Sequence, residues 1–361
     1  MPIKSLNGLL GLAALGLLGA CSTPCDVPGR LCAPILSNTS ADQDHPAAAV
    51  RAGFMAGYER DRDGIVVDVI DSGDTPAQAL DAYAAAVRTD DIVVGPLARQ
   101  SVRAVATGAS VDKPTIALNH PGADTPLPSR LLVMGLSIED EARQVARWAA
   151  DEHPGAAALI VSGASAWERR IAGAYAAQWK EQGGQARTVE LPDSNGYLSE
   201  AALQQLKTQT DAAPPEVLLA AVDAGQLRQV RATLGSASAI AIYGTSTANP
   251  GADHAEALAE LDGVRLLDQP WEVQPDDSAV MVYPRASGGQ QTLDLERLYA
   301  LGIDAFRVAR ETALHPGTRF TLDGVTGRLR VGWDTGAASF ERSEPQVTVQ
   351  DGRFVLIAPA H

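Results

Sequence analysis

Short apolar runs rich in β-branched residues alternate with stretches of helical period through most of the chain. Strands are predicted at 65–70, 91–94, 114–118, 131–135, 156–161, 186–191, 216–221, 239–243 and 264–267. Helices are predicted between them, over 98–108, 137–152, 165–182, 199–209, 224–234 and 253–261. Their starts carry their own signals. Thr75-Pro76-Ala77-Gln78, Ser137-Ile138-Glu139-Asp140 and Ser165-Ala166-Trp167-Glu168 each set a hydroxyl at the cap and an acid or amide three residues on. Gly183-Gly184 stops one helix. The strands read as continuous apolar runs, as strands covered on both faces should. Strand-then-helix units imply parallel sheets, and about ten of them exceed one small sheet. Two α/β lobes, each a doubly wound parallel sheet, are the expected architecture.

The end of the chain changes character. A long helix is predicted over 293–314, with Leu295, Leu298, Tyr299, Ile303, Phe306 and Val308 near one face. From Arg319 the pattern is β, at 328–331, 338–341, 346–349 and 353–357. The last two runs are joined by Asp351-Gly352, a strong hairpin signal. Residues 24–46 read as a loose segment, and a first strand over 31–36 is interrupted by Pro34.

The start of the chain is a different kind of pattern. Lys4 precedes an unbroken small-and-apolar run over 8–20, closed by Leu18-Gly19-Ala20-Cys21. That is a secretory signal, and it is shorter than the ~20 apolar residues of a membrane span. A cysteine directly after the small residues resembles the lipobox of bacterial lipoproteins. The resemblance implies removal of residues 1–20, acylation of Cys21 and a tether over 21–30. Several acyl chains hold a protein far more firmly than one. Ser22, where Asp would signal retention, implies the outer membrane.

Composition adds little beyond compartment and charge. The 361 residues are 45% hydrophobic and 20% charged, which is ordinary for a globular protein. The formal charge is −15, and Lys4 is the only charge in residues 1–20, so the remainder is more negative still. Such a surface repels nucleic acid and anionic lipid and favours basic or neutral partners. Besides Cys21, only Cys25 and Cys32 remain. An oxidising compartment lets them pair, with a stabilisation of ~2 kcal/mol for so short a loop. Two free thiols in a tether is the other reading.

Catalytic chemistry is not signalled. Gly-rich phosphate loops and paired Cys or His ligands are absent from the sequence, so no metal or cofactor is expected. His45, His120, His153, His254, His315 and His361 are scattered and read as surface or loop. Ser110-Val111-Asp112-Lys113 matches Ser-x-x-Lys, but it follows a helix and abuts Pro114, and its companion triplets are missing. Glu139, Asp140 and Glu141 cluster at a helix start, where the dipole favours them. The candidates for ligand contact are the carboxyl ends of strands: Gly95, Pro96, Asn119, Ser162, Asp223, Thr245 and Ser246. Turn-making and capping explain the same residues equally well.

Two family patterns then become visible. Val93-Val94-Gly95-Pro96, Gly324-Val325-Thr326-Gly327 and the closing hairpin resemble type I periplasmic binding proteins of the Leu/Ile/Val class. More specifically, the chain resembles the LppC/LpoA lipoprotein family, activators of penicillin-binding proteins. The stretches that carry this are Arg51-Ala52-Gly53-Phe54, Gly95-Pro96-Leu97, Ala117-Leu118-Asn119, Gly135-Leu136-Ser137-Ile138-Glu139-Asp140-Glu141-Ala142, Pro270-Trp271 and Arg297-Leu298-Tyr299-Ala300-Leu301-Gly302-Ile303-Asp304-Ala305.

The resemblance implies lobe one at 30–119 and 246–318, lobe two at 120–245 and 319–361, and a hinge of three crossings near Asn119, Gly244 and Phe320. It also implies a non-enzymatic outer-membrane lipoprotein on the periplasmic face. Its partner would be a bifunctional penicillin-binding protein, a peptidoglycan synthase that it stimulates. Longer members carry an N-terminal helical-repeat domain before this part, and this chain is expected to lack it. A solute-binding lipoprotein holding an amino acid or other small ligand between its lobes is the alternative. There Asp223 would meet an amino group, and Thr245 and Ser246 a carboxylate.

Overall fold

A computed structural model of the chain describes residues 31–32, 35–37, 45–62, 64–122, 124–235, 239–251, 254–285, 292–333 and 336–357. Cys21 and Cys25 lie outside them, and so do the signal and tether segments. Among the described residues, no helix is long and apolar enough to cross a membrane.

Two sheets organise the fold. The first is parallel and five-stranded, in the order Val69–Asp71, Ile35–Ser37, Val93–Val94, Thr115–Ala117, Leu131–Val133. The second has seven strands, in the order Arg353–Leu356, Gln346–Gln350, Arg265–Leu267, Ala241–Gly244, Val217–Ala221, Ala157–Ser162, Gln185–Glu190. It is parallel except for the closing hairpin, which adds antiparallel on Arg265–Leu267. In strand Val217–Ala221 all five residues are buried, and alternate side chains enter the cores on the two faces. Asp351 and Gly352 take positive φ, 50° and 70°, as that tight turn requires.

The predicted helix starts appear as capping hydrogen bonds. Thr75 and Ser165 make reciprocal capping boxes with Gln78 and Glu168. Ser137 accepts from the Asp140 N–H. The pattern did not give the helix Pro46–Arg60, whose residues are Ala- and Gly-rich with little amphipathic contrast. It also missed the hairpin of Asp193–Ser194 with Tyr197–Leu198 and the short helix Pro270–Val273.

The lobe boundaries differ from those expected, for a reason visible in the strand pairings. Leu131–Val133 pairs with Thr115–Ala117, so the first lobe runs past Asn119 to about residue 134. Arg265–Leu267 pairs with Ala241–Gly244, so the second lobe continues past Gly244 to about 267. Strands Arg319–Asp323, Arg328–Gly332 and Ser339–Ser343 form a separate antiparallel sheet. Leu329 and Val331 of that sheet pack in the first lobe's core, with Phe320 against it. The third crossing therefore falls at 343–346, not near Phe320. The expected boundaries were those the family resemblance implied, whereas the sheets take one more strand, or a covering sheet, before the chain crosses.

The first lobe is built around a close helix crossing. Helix Leu293–Leu314 runs against Pro46–Arg60, and Gly53 and Gly302 sit at the contact. A Cβ on Gly53 would lie 1.9 Å from the Tyr299 carbonyl oxygen, and one on Gly302 would lie 2.0 Å from that of Val50. Phe306 then fills the space beside Gly57 and meets Phe54 edge-on at 5.4 Å. Gly302→Ala is expected to push the helices apart and cost about 1–3 kcal/mol or more. Equilibrium urea unfolding of the variant against the parent measures it.

Candidate functional site at the lobe crossings

The three crossing segments bring a set of buried charges together. Asp268 and Gln269 lie in the second crossing, just after strand Arg265–Leu267. Asp268 is fully buried. It accepts from Arg297 Nη2 at 2.7 Å and Nε at 3.2 Å, from Asn249 Nδ2 at 2.8 Å and from the Gln269 N–H at 2.7 Å. Arg297 comes from the long helix of the first lobe, and its Nη2 also donates to the Ser246 carbonyl at 3.0 Å. Ser246 lies just past the end of strand Ala241–Gly244 in the second lobe. The guanidinium therefore spans both lobes. Ser246 in turn donates its hydroxyl (2.6 Å) and its N–H (3.2 Å) to Glu141 Oε2.

Seven residues along the same helix, two turns on, Asp304 does the parallel job. It accepts from the Val325 N–H at 3.0 Å, the Thr326 N–H at 2.8 Å and the Thr326 hydroxyl at 2.7 Å. A Cβ on Gly324 would sit 2.5 Å from Asp304 Oδ2, so the loop needs glycine there. Thr326 Oγ1 also receives Arg342 Nε at 3.1 Å. Arg342 Nη1 and Nη2 reach across to the carbonyls of Gly135 (3.1 Å) and Met134 (3.0 Å). Arg342 thus fastens the third crossing to the first.

Acids outnumber bases in this buried region. Burial pushes Glu141 up to about 7, and nearby Asp268 adds to it while Ser246 and Arg297 oppose it. Glu272 is pushed up to about 7 by burial and then by Asp268. Glu344 is raised well above its ordinary value by burial and by Glu141. Among the described residues, Glu344 Oε2 and Glu272 Oε1 are buried without hydrogen-bond partners. A cavity of about 240 Å3 opens beside Glu141 and Glu344, lined also by His120, Gln144 and Phe340. His120, read from the sequence as surface or loop, is half-buried, and burial lowers its pKa.

None of the seven strand-end candidates lines that cavity. Gly95 and Pro96 continue the pairing of a central strand through backbone bonds, to Ile116 O (2.8 Å) and from the Leu118 N–H (3.1 Å). Asn119 Oδ1 accepts from the His120 N–H, and its backbone packs against Gly135. Ser162 is buried and donates to the Gly163 carbonyl at 2.8 Å. Asp223 caps a helix in a reciprocal box with Gln226. Thr245 is buried against the Thr247 hydroxyl at 2.9 Å. Only Ser246 joins the central network. Glu141 was grouped in the sequence with Glu139 and Asp140 as a dipole-stabilising acid. Those two do face outward, to Arg170 and Arg143. The signal that separates Glu141 is helical phase, since it shares the buried face with Ala142, Val145 and Ala149.

Two measurements probe this network. Arg297→Met leaves Asp268 buried without its cation and is expected to cost about 3–5 kcal/mol, read by urea unfolding. The raised acids set the sign of the pH dependence. A folded pKa near 7 against an ordinary value of 4.5 means that the native state holds protons that the unfolded chain has released. Stability from these groups is full below about pH 4.5 and is lost as pH rises toward 7. Glu141→Gln is expected to flatten that slope in stability curves taken from pH 5 to 8.

Comparison with known proteins gives this frame a family. The family described as "LppC putative lipoprotein" matches residues 35–337. A relative named "Penicillin-binding protein activator LpoA" from Enterobacter sp. (strain 638) is 27% identical over 298 residues, covering 71% of this chain and 40% of its own length. One of the same name from Yersinia pseudotuberculosis is 27% identical over 333 residues, covering 79% and 49%. The chain thus spans less than half the length of these curated relatives. A solved structure named as a "putative branched-chain amino acid ABC transporter" from Chromobacterium violaceum is 34% identical with a TM-score of 0.71, covering 88% of this chain and 99% of that one. The LpoA C-domain from Haemophilus influenzae, titled "a regulator of PBP1A", is 22% identical with a TM-score of 0.70, covering 91% and 100%. These structures share the two-lobed fold of type I periplasmic binding proteins, and by the extent of the family match the chain belongs to the LppC family.

Proposed function

We propose that this protein regulates peptidoglycan synthesis by contact, binding a bifunctional penicillin-binding protein and stimulating its transpeptidase. It works from the outer membrane, held on the periplasmic face by acyl chains on Cys21, and makes or breaks no bonds itself. The observation that carries the reading is the family match over residues 35–337, joined to relatives named as activators of penicillin-binding proteins. The interior of the molecule supports it. Ser162, Asp223 and Thr245 are bonded within the protein, so the strand ends offer few free groups to a solute. The acidic chain, at −15, suits a basic docking face on its partner.

The solute-binding alternative draws on one observation, the 34% identity to a structure named as a branched-chain amino acid transporter. Reconstitution separates the two readings. The purified protein, added to a bifunctional synthase and lipid-linked precursor, is expected to raise the cross-linked fraction of the product severalfold. Leucine, isoleucine and valine are expected to leave its melting temperature unchanged. An unchanged cross-linked fraction, together with a melting shift of several degrees by one of these amino acids, would replace the regulator with the solute binder.

A further inference from the structure

The cavity between helix Ile138–Glu152 and strand Ser339–Ser343 plays no part in the regulator reading. At about 240 Å3 it has room for several waters or a small organic molecule. Four acidic residues line it: Asp140 and Glu341 are exposed and paired with Arg143 and Arg330, whereas Glu141 and Glu344 are exposed by only 6% and 8%. Glu141 is met on one side by Ser246. Among the described residues, Glu344 Oε2 has no hydrogen-bond partner. The cations nearby are committed elsewhere. Arg342 directs its N–H groups to Met134 O, Gly135 O and Thr326 Oγ1. Arg143 is paired with Asp140, and Arg147 donates to Gln178 Oε1 at 3.1 Å. His120 Nε2, also on the wall, is buried without a hydrogen-bond partner among the described residues. Glu341, the remaining charge on the wall, is paired with Arg330. Asp268 and Arg297 lie behind Glu141 and satisfy each other.

We propose that this cavity binds the primary ammonium group of a small organic amine, seated between Glu141 and Glu344. Arg342 and Arg297 oppose the raised pKa of Glu344 electrostatically but leave its Oε2 unbonded, and an ammonium would supply a contacting charge and three donors in one compact head. The lining favours an amine over a metal ion, because no cluster of three or more His, Cys, Asp or Glu ligands occurs among the described residues. The size of the space suits a short alkyl chain behind the head. Burial raises both acids, and below about pH 7 Glu141 holds a proton that the incoming cation has to displace. Binding therefore strengthens as pH rises through about 7, the value for Glu141.

The test uses the full chain in detergent and 1,5-diaminopentane as the probe, with the melting temperature as readout. At pH 8 the diamine is expected to raise the melting temperature saturably, by several degrees. 1-Pentanol, and sodium chloride at matched ionic strength, are expected to leave it unchanged. The apparent affinity is expected to fall severalfold at pH 6. Glu344→Gln removes the response, and the exposed control Glu256→Gln keeps it. Gln144→Lys, which places an ammonium in the cavity from the wall, also removes it and decides the matter if Glu344→Gln does not fold. Absence of a saturable shift at pH 8, or an equal shift in the Gln144→Lys protein, overturns the site. Neither result bears on synthase stimulation, which is measured separately.

Discussion

The structure depends on the approach of helix Leu293–Leu314 to Pro46–Arg60. Two glycines let the backbones come so close that a single methyl group would strike a carbonyl oxygen on either side. Close approach has two effects. It buries the long helix almost all round, so that residues over its whole circumference become core. It also fixes the depth at which its polar side chains emerge. Arg297 and Asp304 reach their partners only because the helix lies this deep. The first grips Asp268 and Ser246, and the second holds the turn at 324–327.

The crossings themselves are an unusual balance of charge. Burying ions costs several kcal/mol each unless they are paired and fully hydrogen-bonded. Asp268 and Arg297 meet that demand, and Asp304 is met by three donors of the 324–327 turn and by Arg307 Nη1. Glu141, Glu272 and Glu344 meet it less well, and their raised pKa values are the measure of the shortfall. A hinge built this way is held by directional bonds and not by apolar contact alone. Its geometry is therefore specific, and its stability responds to protons.

Much of this was legible in the sequence, and the part that was not has physical reasons. Alternation of apolar runs with capped helices gave the α/β lobes, and Thr75 and Ser165 cap as their spacing implied. The helix Pro46–Arg60 escaped because alanine and glycine leave no polar-apolar stripe. The crossings were misplaced because strand pairing is long-range. Nothing local tells residues 131–133 which sheet will accept them. The site was only partly legible, because turn-making and capping explained the strand-end residues as well as ligand contact did. Strand-end residues drew attention as polar groups near a cleft, yet Ser162, Asp223 and Thr245 are consumed by turns and caps. The stretches that carried the family resemblance turn out to supply Gly53, Glu141, Trp271, Arg297, Gly302 and Asp304. They describe the frame and its crossings more than any pocket for a solute.

The order in which the chain supplies its parts has a consequence for how the molecule is assembled. The strands of the five-stranded sheet are all in place by Val133, but the helix and the antiparallel sheet that cover it span 293–343. The seven-stranded sheet receives its outer pair only at 346–356. Neither half can be cut out as one continuous piece. During synthesis the early segments emerge with apolar surface still bare, and they wait for the final stretch of polypeptide to shield it. Contacts so distant in sequence make for slow maturation, and in that interval the unfinished chain relies on its surroundings to keep it from clumping.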